Sequence, residues 1–218
     1  MIIDSSFTEK ILERKSVEGH LKEDYVKRTV DIILSFLFLV AVMSWLFPLI
    51  AFLIWLDSKG PVFFLQKRVG KNNEQFTCYK FRSMRINQEA DRLQAVEDDK
   101  RITRIGRFLR KTNIDEFPQF LNVLMGNMSI VGPRPHMVSE SRRFSAMIRD
   151  YDFRLVVKPG ITGMAQVKGF HGPAPDLERI FRRYQWDAFY IRNAGLGLDF
   201  RIIWKTAGLF FSSLRNIV

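Results

Sequence analysis

The stretch that most constrains this chain is the run 32–56, IILSFLFLVAVMSWLFPLIAFLIWL, which contains no charged side chain. A helix of this length can cross a bilayer. Pro48 lies inside the run, and proline breaks or kinks a helix. Basic residues flank both ends, and positive charge normally marks the cytoplasmic side of a membrane segment; they are Lys22, Lys27, Arg28, Lys59, Lys67 and Arg68. The residues alone leave a re-entrant and a spanning helix equally open, and they disfavour a buried helix of a soluble protein.

Charge and cysteine content narrow the class of protein. The formal net charge of the 218 residues is +11, which implies an anionic partner: nucleic acid, anionic lipid or a phosphorylated substrate. No nucleic-acid-binding motif is recognised, so we expect no nucleic acid partner. Cys78 is the single cysteine, which excludes an internal disulfide, and its strand-like surroundings predict a buried thiol. The N-terminal residues mix acids and bases without an apolar core, unlike a signal peptide.

Two adjacent carboxylates, Asp115 and Glu116, stand at the centre of the stretch 111–135. Pro118 follows them, and proline is tolerated in the first turn of a helix. The pattern therefore predicts that the carboxylates lie at a helix N-terminus, where phosphate also binds. Basic residues surround the pair, namely Arg107, Arg110, Lys111 and Arg134. This arrangement suits chemistry on a phosphate, although an acidic first turn that only favours the helix dipole is the alternative.

The remaining segments predict an α+β, mostly helical fold. Two short strands, within 62–65 and 76–81, form a β-hairpin whose polar face carries Lys67, Arg68, Lys80, Arg82 and Arg85. We expect a surface helix and loop over 86–104 and an amphipathic helix over 137–157. The glycine-containing loop at 158–163 is expected to bind a ligand, and a simple turn of the chain is the alternative. The stretches 176–192 and 199–214 are amphipathic and aromatic; they suit a membrane interface, and ordinary packing on a core is the alternative for 176–192.

Several long motifs resemble bacterial sugar transferases, the monotopic phosphoglycosyl transferases. They are GPVFFLQKRVG at 60–70, YKFRSM at 79–84, GRFLRKTNIDEFPQFLNVLMGNMSIVGPRP at 106–135 and KPGITGMAQVKGF at 158–170. The resemblance runs from about residue 27 to about residue 206. It implies a re-entrant membrane helix, kinked in the family at a Ser-Pro pair; here the pair is Phe47-Pro48, with Ser44 one turn earlier.

The resemblance also implies an activity. Family members transfer a sugar 1-phosphate from a nucleotide diphosphate sugar to a polyprenyl phosphate in two steps. By resemblance Asp115 is the nucleophile and helps to hold Mg²⁺, and Glu116 assists it. Arg110, Arg134 and Lys80 match positions that support substrate binding. The motifs GPRPH and GFHG are similar to the subgroup that transfers glucose 1-phosphate or galactose 1-phosphate to undecaprenyl phosphate at the start of exopolysaccharide or capsule synthesis.

These inferences combine into three regions. We expect a polar N-terminal arm (1–28), a re-entrant membrane helix (29–58) and a catalytic domain with interfacial amphipathic helices on the cytoplasmic face of the bacterial inner membrane (59–218). The chain resembles the family's minimal catalytic unit. The expected partners are a UDP-sugar, undecaprenyl phosphate and membrane lipids, and a homodimer stays open. The alternative is a non-enzymatic membrane-surface module that binds anionic lipid, which explains the charge but not the Asp115–Glu116 motif.

Overall fold

A computed structural model describes residues 17–86, 99–170, 172 and 176–215 of the chain. This part is mostly helical and carries two small two-stranded sheets, which confirms the α+β, mostly helical expectation. The helices are α1 Val17–Phe38, α2 Ser44–Asp57, α3 Arg104–Thr112, α4 Gln119–Leu124, α5 Val138–Met147, α6 Met164–Val167, α7 Leu177–Arg192 and α8 Leu196–Arg215. The strands are β1 Phe63–Val69, β2 Gln75–Phe81, β3 Ser129–Val131 and β4 Gly160–Thr162.

The apolar run forms one long helix that combines α1, a π-helical segment Leu39–Met43, and α2. The portion Tyr25–Asp57 has a mean hydropathy of 2.6 in its most apolar window and is long enough to cross a membrane. One face packs against the rest of the chain. Apart from Ser44, the opposite face exposes apolar side chains, and the large ones are Ile32, Ile33, Phe36, Leu37, Val40, Trp45, Leu49, Phe52, Trp55 and Leu56. A continuous apolar face of this kind marks a membrane or protein interface.

The regular hydrogen-bond pattern of the long helix is interrupted near its middle. Pro48 lies inside α2 and has no N–H, so the carbonyl of Ser44 loses its usual partner. The Ser44 hydroxyl donates to the carbonyl of Val40 at 2.6 Å, at the end of the π-helical segment. Back-bonding of this type bends helices, and π-helical turns and prolines are common sites of kinks.

Both ends of the long helix are fixed to the same body of the protein. Near the N-terminal end, Lys27 Nζ pairs with Asp199 Oδ2 at 2.6 Å, and Asp31 Oδ1 accepts from the Ile130 N–H at 3.0 Å. At the C-terminal end, Asp57 Oδ2 accepts from the Ile105 N–H at 2.7 Å. Between these points, apolar residues of the helix pack against the domain core. The helix therefore lies along the domain over most of its length.

The predicted hairpin is confirmed, but its basic residues do not share one face. β1 and β2 are antiparallel, and Phe64 pairs with Lys80 while Arg68 pairs with Phe76. Arg68 and Lys80 therefore lie on one face with the buried Cys78, and Lys67 lies on the other, because successive side chains alternate. Arg82 follows the strand and donates to the carbonyls of Lys59 and Ser58, at 2.8 and 2.6 Å.

The glycine-containing segment 158–163 is partly a strand and not an open loop. Gly160–Thr162 forms β4, which pairs in parallel with β3. A Cβ on Gly160 would lie 2.1 Å from the Gly132 backbone N. The glycines therefore permit close approach of two stretches of backbone. Ile161 and Thr162 line the cavity described below, and the ligand role of the segment stays a prediction.

The helix expected over 137–157 is also shorter than predicted. α5 ends at Met147, Asp150 has a positive φ of 58°, and Tyr151–Leu155 forms a 3-10 helix. The left-handed residue interrupts the helical path, although the apolar periodicity continues through it.

Helices α7 and α8 confirm the two predicted C-terminal helices but differ in exposure. On α7, Ile180 and Tyr184 pack in a core cluster with Phe144, Ile148 and Tyr151, so ordinary core packing describes this stripe. On α8, Trp204 is 81% exposed, and Phe200 and Phe211 are also exposed. The amphipathic membrane-surface expectation is thus compatible with α8. The N-terminal residues 1–16, most of the predicted surface helix at 86–104, and His171 lie outside the described residues.

Candidate active site

The carboxylate pair lies on a tight turn between two helices. α3 ends at Thr112, and Asn113 adopts a left-handed conformation, φ 58°, that turns the chain. Ile114–Glu116 then forms a 3-10 turn, and Pro118 occupies the N-cap of the six-residue α4. The predicted first-turn placement is therefore wrong by a few residues, because a 3-10 turn separates Asn113 from the start of α4. The turn, and not a helix N-terminus, orients both carboxylates.

Glu116 is held by two cations. Its Oε1 accepts from Lys80 Nζ at 2.6 Å, and Arg134 places Nη1 2.9 Å from Oε2 while Nη2 donates to Oε1. Burial alone would raise the pKa of Glu116, but Arg134 and Lys80 hold that pKa well below its usual range. The pairing also raises the pKa of Arg134. Glu116 is consequently a permanently charged, fixed group.

Asp115 has a different environment although it is the adjacent residue. It is 7% exposed, and in the described part of the chain no side chain or backbone donor hydrogen-bonds to its carboxylate. Burial and the negative charge of Glu116 raise the pKa of Asp115 to about 6, against smaller opposing effects of Lys80 and Arg110. At neutral pH the carboxylate is therefore mostly charged, has free lone pairs and is poorly solvated. These are the properties of an activated nucleophile or a metal ligand.

The backbone next to Arg134 is fixed from three directions. The Arg134 carbonyl accepts from Arg154 Nη2 at 2.7 Å, and the Pro135 carbonyl accepts from Arg68 Nη1 at 3.0 Å. The carbonyl of His136 accepts from the Val69 N–H at 3.0 Å. Arg134 is thus attached to a rigid segment, which supports its two-point contact with Glu116.

A buried ion pair supports this segment from behind. Arg154 Nη2 lies 2.9 Å from Asp187 Oδ2, and both side chains are 2% exposed. The pair joins the 3-10 helix Tyr151–Leu155 to α7. Because Arg154 also donates to the Arg134 carbonyl, Asp187 acts on the site through Arg154 and Arg134.

The five residues selected from sequence line one cavity of about 1760 Å³: Lys80, Arg110, Asp115, Glu116 and Arg134. The structure therefore brings together side chains that lie up to 54 positions apart in sequence (134 − 80). Charged groups form the floor of the cavity. Much of its remaining wall is apolar and comes from the long helix, the stretch after Glu116, and α8; examples are Phe38, Trp45, Leu46, Phe117, Leu209 and Phe210.

The donor set fits a magnesium ion only together with a substrate. Among the described residues no group of three or more His, Cys, Asp or Glu side chains surrounds a common point. Glu116 is already engaged by Lys80 and Arg134, which leaves Asp115 as the available carboxylate. Mg²⁺ commonly takes one or two carboxylates and completes its shell with waters and phosphate oxygens. Asp115 facing a diphosphate satisfies that pattern.

Two further cavity residues were not selected from the sequence. Arg68 lies on the same hairpin face as Lys80, as the sequence predicted, and it also lines the cavity. Arg183 is 4% exposed and lies on the packed side of α7. A signal for Arg183 did exist: Arg183 and Asp187 repeat at the same helical spacing as Ile180 and Tyr184, so charged residues share the buried stripe.

Comparison with known proteins places this geometry in a family. An unpaired carboxylate among cations, in a cavity with apolar walls, suits chemistry on a phosphate attached to an apolar group. The family model of bacterial sugar transferases matches residues 22–213, and the chain belongs to this family. The family resemblance inferred from the motifs is confirmed.

Individual relatives are similar over most of this chain. A UDP-glucose:undecaprenyl-phosphate glucose-1-phosphate transferase of Klebsiella pneumoniae is 45% identical over 83% of this chain and 39% of the relative. A protein with the same name from Xanthomonas campestris pv. campestris is 48% identical over 77% of this chain and 36% of the relative. An exopolysaccharide production protein of Rhizobium leguminosarum bv. phaseoli is 42% identical over 83% of this chain and 92% of the relative. The chain thus spans about two fifths of the first two relatives.

Proposed function

We propose that this protein transfers a hexose 1-phosphate, glucose 1-phosphate or galactose 1-phosphate, from a UDP-sugar to undecaprenyl phosphate and releases UMP. The observation that carries the proposal is the unpaired Asp115 carboxylate, which lies beside cations in a cavity with apolar walls. A lipid-binding module needs the cations and the apolar walls, but it has no use for a buried carboxylate with a raised pKa. The names of the relatives support the same reaction.

In the first step, Asp115 attacks the phosphorus that carries the sugar. The bond from that phosphorus to the bridging oxygen breaks, UMP leaves with the electron pair, and an aspartyl-phosphosugar remains. Arg110, Arg134 and Lys80 line the cavity around the reacting groups and offset the charge of the diphosphate. Glu116 keeps Lys80 and Arg134 in place and prevents either from pairing with Asp115.

In the second step, a phosphate oxygen of undecaprenyl phosphate attacks the same phosphorus. The bond to Asp115 breaks, which regenerates the carboxylate and yields the polyprenyl diphosphate sugar. The apolar wall of Phe38, Trp45 and Phe210 suits the lipid chain, and the charged floor suits its phosphate. A Mg²⁺ ion held by Asp115 and the diphosphate oxygens would supply additional neutralisation of charge.

The attachment of both helix ends to one domain supports a re-entrant topology. From Arg28 to Asp57 a straight helix would extend roughly 44 Å at 1.5 Å per residue, more than the roughly 30 Å hydrocarbon layer. Arg28 donates to the carbonyls of Val123 and Leu124, and Asp57 accepts from Ile105. A spanning helix would place these contacts on opposite sides of the bilayer. We therefore place the domain on the cytoplasmic face of the inner membrane, with the apolar helix face inserted into one leaflet.

The reaction is tested by separating its two steps. Purified protein is mixed with Mg²⁺ and UDP-glucose, or UDP-galactose in parallel, and analysed by intact-mass and peptide mass spectrometry. We expect a hexose-phosphate adduct on Asp115 without lipid, and continuous UMP release only after undecaprenyl phosphate is added. An adduct on another residue would contradict the Asp115 assignment, and no UMP release from any UDP-sugar of a panel would contradict the transferase proposal.

The topology is tested with an impermeant thiol reagent on intact cells. Single cysteines at Lys22 and Lys59 should be equally protected, because both positions should face the cytoplasm. Labelling of only one position would show a spanning helix. Pro48→Ala should shift the helix towards spanning, since the alanine restores the hydrogen bond to the carbonyl of Ser44.

The chemistry of the product indicates where the reaction stands in polysaccharide synthesis. A sugar attached to undecaprenyl diphosphate is a starting unit to which further sugars can be added at the membrane. The motifs GPRPH and GFHG, with the named Rhizobium relative, support a first membrane step of exopolysaccharide or capsule synthesis. Loss of that polysaccharide in a deletion strain, and its return with the wild-type chain but not with Asp115→Asn, would test this role.

A further inference from the structure

Two arginines that line the cavity are not paired with any carboxylate in the part of the chain that the structure describes. Arg183 Nη2 donates to the carbonyl of Gly172 at 2.8 Å. Arg68 donates to the carbonyl of Pro135 and to the side-chain oxygen of Gln66. All three acceptors are neutral. A buried or half-buried guanidinium without a counter-ion is costly, so the two residues require a negative partner that no described residue supplies.

The neighbouring cations do have partners in the protein. Arg134 and Lys80 pair with Glu116, and Arg154 pairs with Asp187. Arg68 and Arg183 therefore add an excess of positive charge beside Arg134. Burial lowers the pKa of each, and the charge of Arg134 lowers both further. All three arginines line the same cavity.

His136 lies close to these arginines, and burial and their positive charges lower its pKa. The side chain is 3% exposed, and Nδ1 lies 3.0 Å from the Tyr151 hydroxyl. Burial first, and then Arg154, Arg183, Arg68 and Arg134, lower the pKa of His136 well below its usual value. The imidazole is therefore neutral at physiological pH and adds no charge to the cluster.

We propose that Arg68 and Arg183 form a phosphate subsite that holds the nucleotide-side phosphate of the donor and stabilises the nucleoside monophosphate as it leaves. This inference rests on the proposed function. When Asp115 bonds to the sugar-side phosphorus, the bond to the bridging oxygen breaks and the electron pair stays with the departing phosphate. Its negative charge rises, and two planar guanidiniums are suited to that developing charge.

The packing around the subsite favours the nucleotide over the lipid phosphate. Arg183 is on α7, whose buried stripe packs against Phe144, Ile148 and Tyr151. Arg68 is fixed to the Pro135 carbonyl, next to the segment that carries Arg134. The apolar wall suited to a polyprenyl chain comes instead from the long helix and α8. A donor with its nucleotide at the arginines and its sugar phosphate at Asp115 leaves that wall free for the acceptor.

The test measures UMP binding to the full chain in nanodiscs, without any reaction. Calorimetry and thermal unfolding are recorded with UMP and with uridine, which lacks the phosphate. We expect UMP to raise the unfolding temperature of the wild type, and Arg183→Gln or Arg68→Gln to weaken UMP binding about tenfold or more. Uridine binding should change little. Each variant without ligand should unfold at the wild-type temperature or above, because an uncompensated buried charge has been removed.

Arg182→Gln is the matched control, since Arg182 neighbours Arg183 on α7 but is exposed and paired with Glu178. It should bind UMP like the wild type. Because Arg68 and Arg183 lie on different elements, either variant tests the subsite if the other does not fold. Wild-type UMP affinity in both, or a weakened affinity for undecaprenyl phosphate with UMP affinity retained, would overturn the subsite. A wild type that never releases UMP from a UDP-sugar would instead contradict the proposed function.

Discussion

Asp115 and Glu116 are consecutive residues of one short turn, yet their carboxylates face different regions of the site. The Glu116 side is a network in which Lys80 and Arg134 neutralise one carboxylate. The Asp115 side is the open cavity, where no described donor contacts the carboxylate and its pKa is about 6. Neighbouring charges and hydrogen bonds, not residue type, separate a fixed counter-ion from a reactive group.

The comparison extends to what each region can tolerate. The Glu116 side is preorganised, because the segment that carries Arg134 is fixed by Arg154 and Arg68. On the Asp115 side, the negative charge of the carboxylate has no described hydrogen-bond partner, so a substrate or a metal ion must compensate it. Substitution of Asp115 should therefore abolish the chemical step, whereas substitutions on the Glu116 side should disturb the arrangement of the cations around the site.

The largest effect is expected for Asp115→Asn. The amide keeps the size of the side chain but loses the charge that attacks phosphorus, so UMP release should fall about a thousandfold or more. The rate is measured with UDP-sugar and undecaprenyl phosphate, and thermal unfolding verifies that the variant is folded. Full turnover by this variant would contradict the assignment of Asp115 as the nucleophile.

Glu116→Gln should reduce turnover less, by about a hundredfold, because it disturbs the arrangement of donors and not the nucleophile itself. Lys80 and Arg134 lose their counter-ion and become free to pair with Asp115. We expect the aspartyl adduct still to form, slowly, in the absence of lipid. A variant with no adduct but a normal fold would show that Glu116 takes part directly in the first step.

Arg134→Lys retains the charge but loses the planar two-point contact with Glu116. We expect a loss of about tenfold to a hundredfold in kcat/KM, because one ammonium group cannot hold both carboxylate oxygens. Steady-state kinetics with varied UDP-sugar measures the loss. The exposed Arg182→Lys serves as control and should be unchanged; equal effects of the two substitutions would contradict a specific role for Arg134.

The smallest effect concerns pH. Protonation of Asp115 removes the nucleophile, so kcat/KM should fall about tenfold per pH unit below pH 6 and level off above it. In Glu116→Gln the negative charge that helps to raise the pKa of Asp115 is gone, so the acidic limb should move to lower pH. An unchanged limb in that variant would show that another group controls it.

Local patterns were sufficient for much of the fold. The uncharged run 32–56 predicted a long apolar helix, and alternation around a turn predicted the β1–β2 hairpin. The motifs at 79–84 and 106–135, through their family resemblance, also identified five residues that share one cavity. The same local patterns failed at Ile148–Asp150, where one left-handed residue divides a continuous apolar periodicity into two helices.

What the sequence determined by itself is therefore local: helical and strand periods, turn chemistry, overall charge and a recognisable order of motifs. Only the tertiary structure decided which carboxylate is paired, that the apolar stripe of α7 packs on a protein core, and which described arginines lack a counter-ion. Lys80 and Glu116 are 36 positions apart, and Lys27 and Asp199 are 172 apart. Periodicity acts over a few residues, whereas burial and the pairing of charges depend on segments that meet only when the chain has packed.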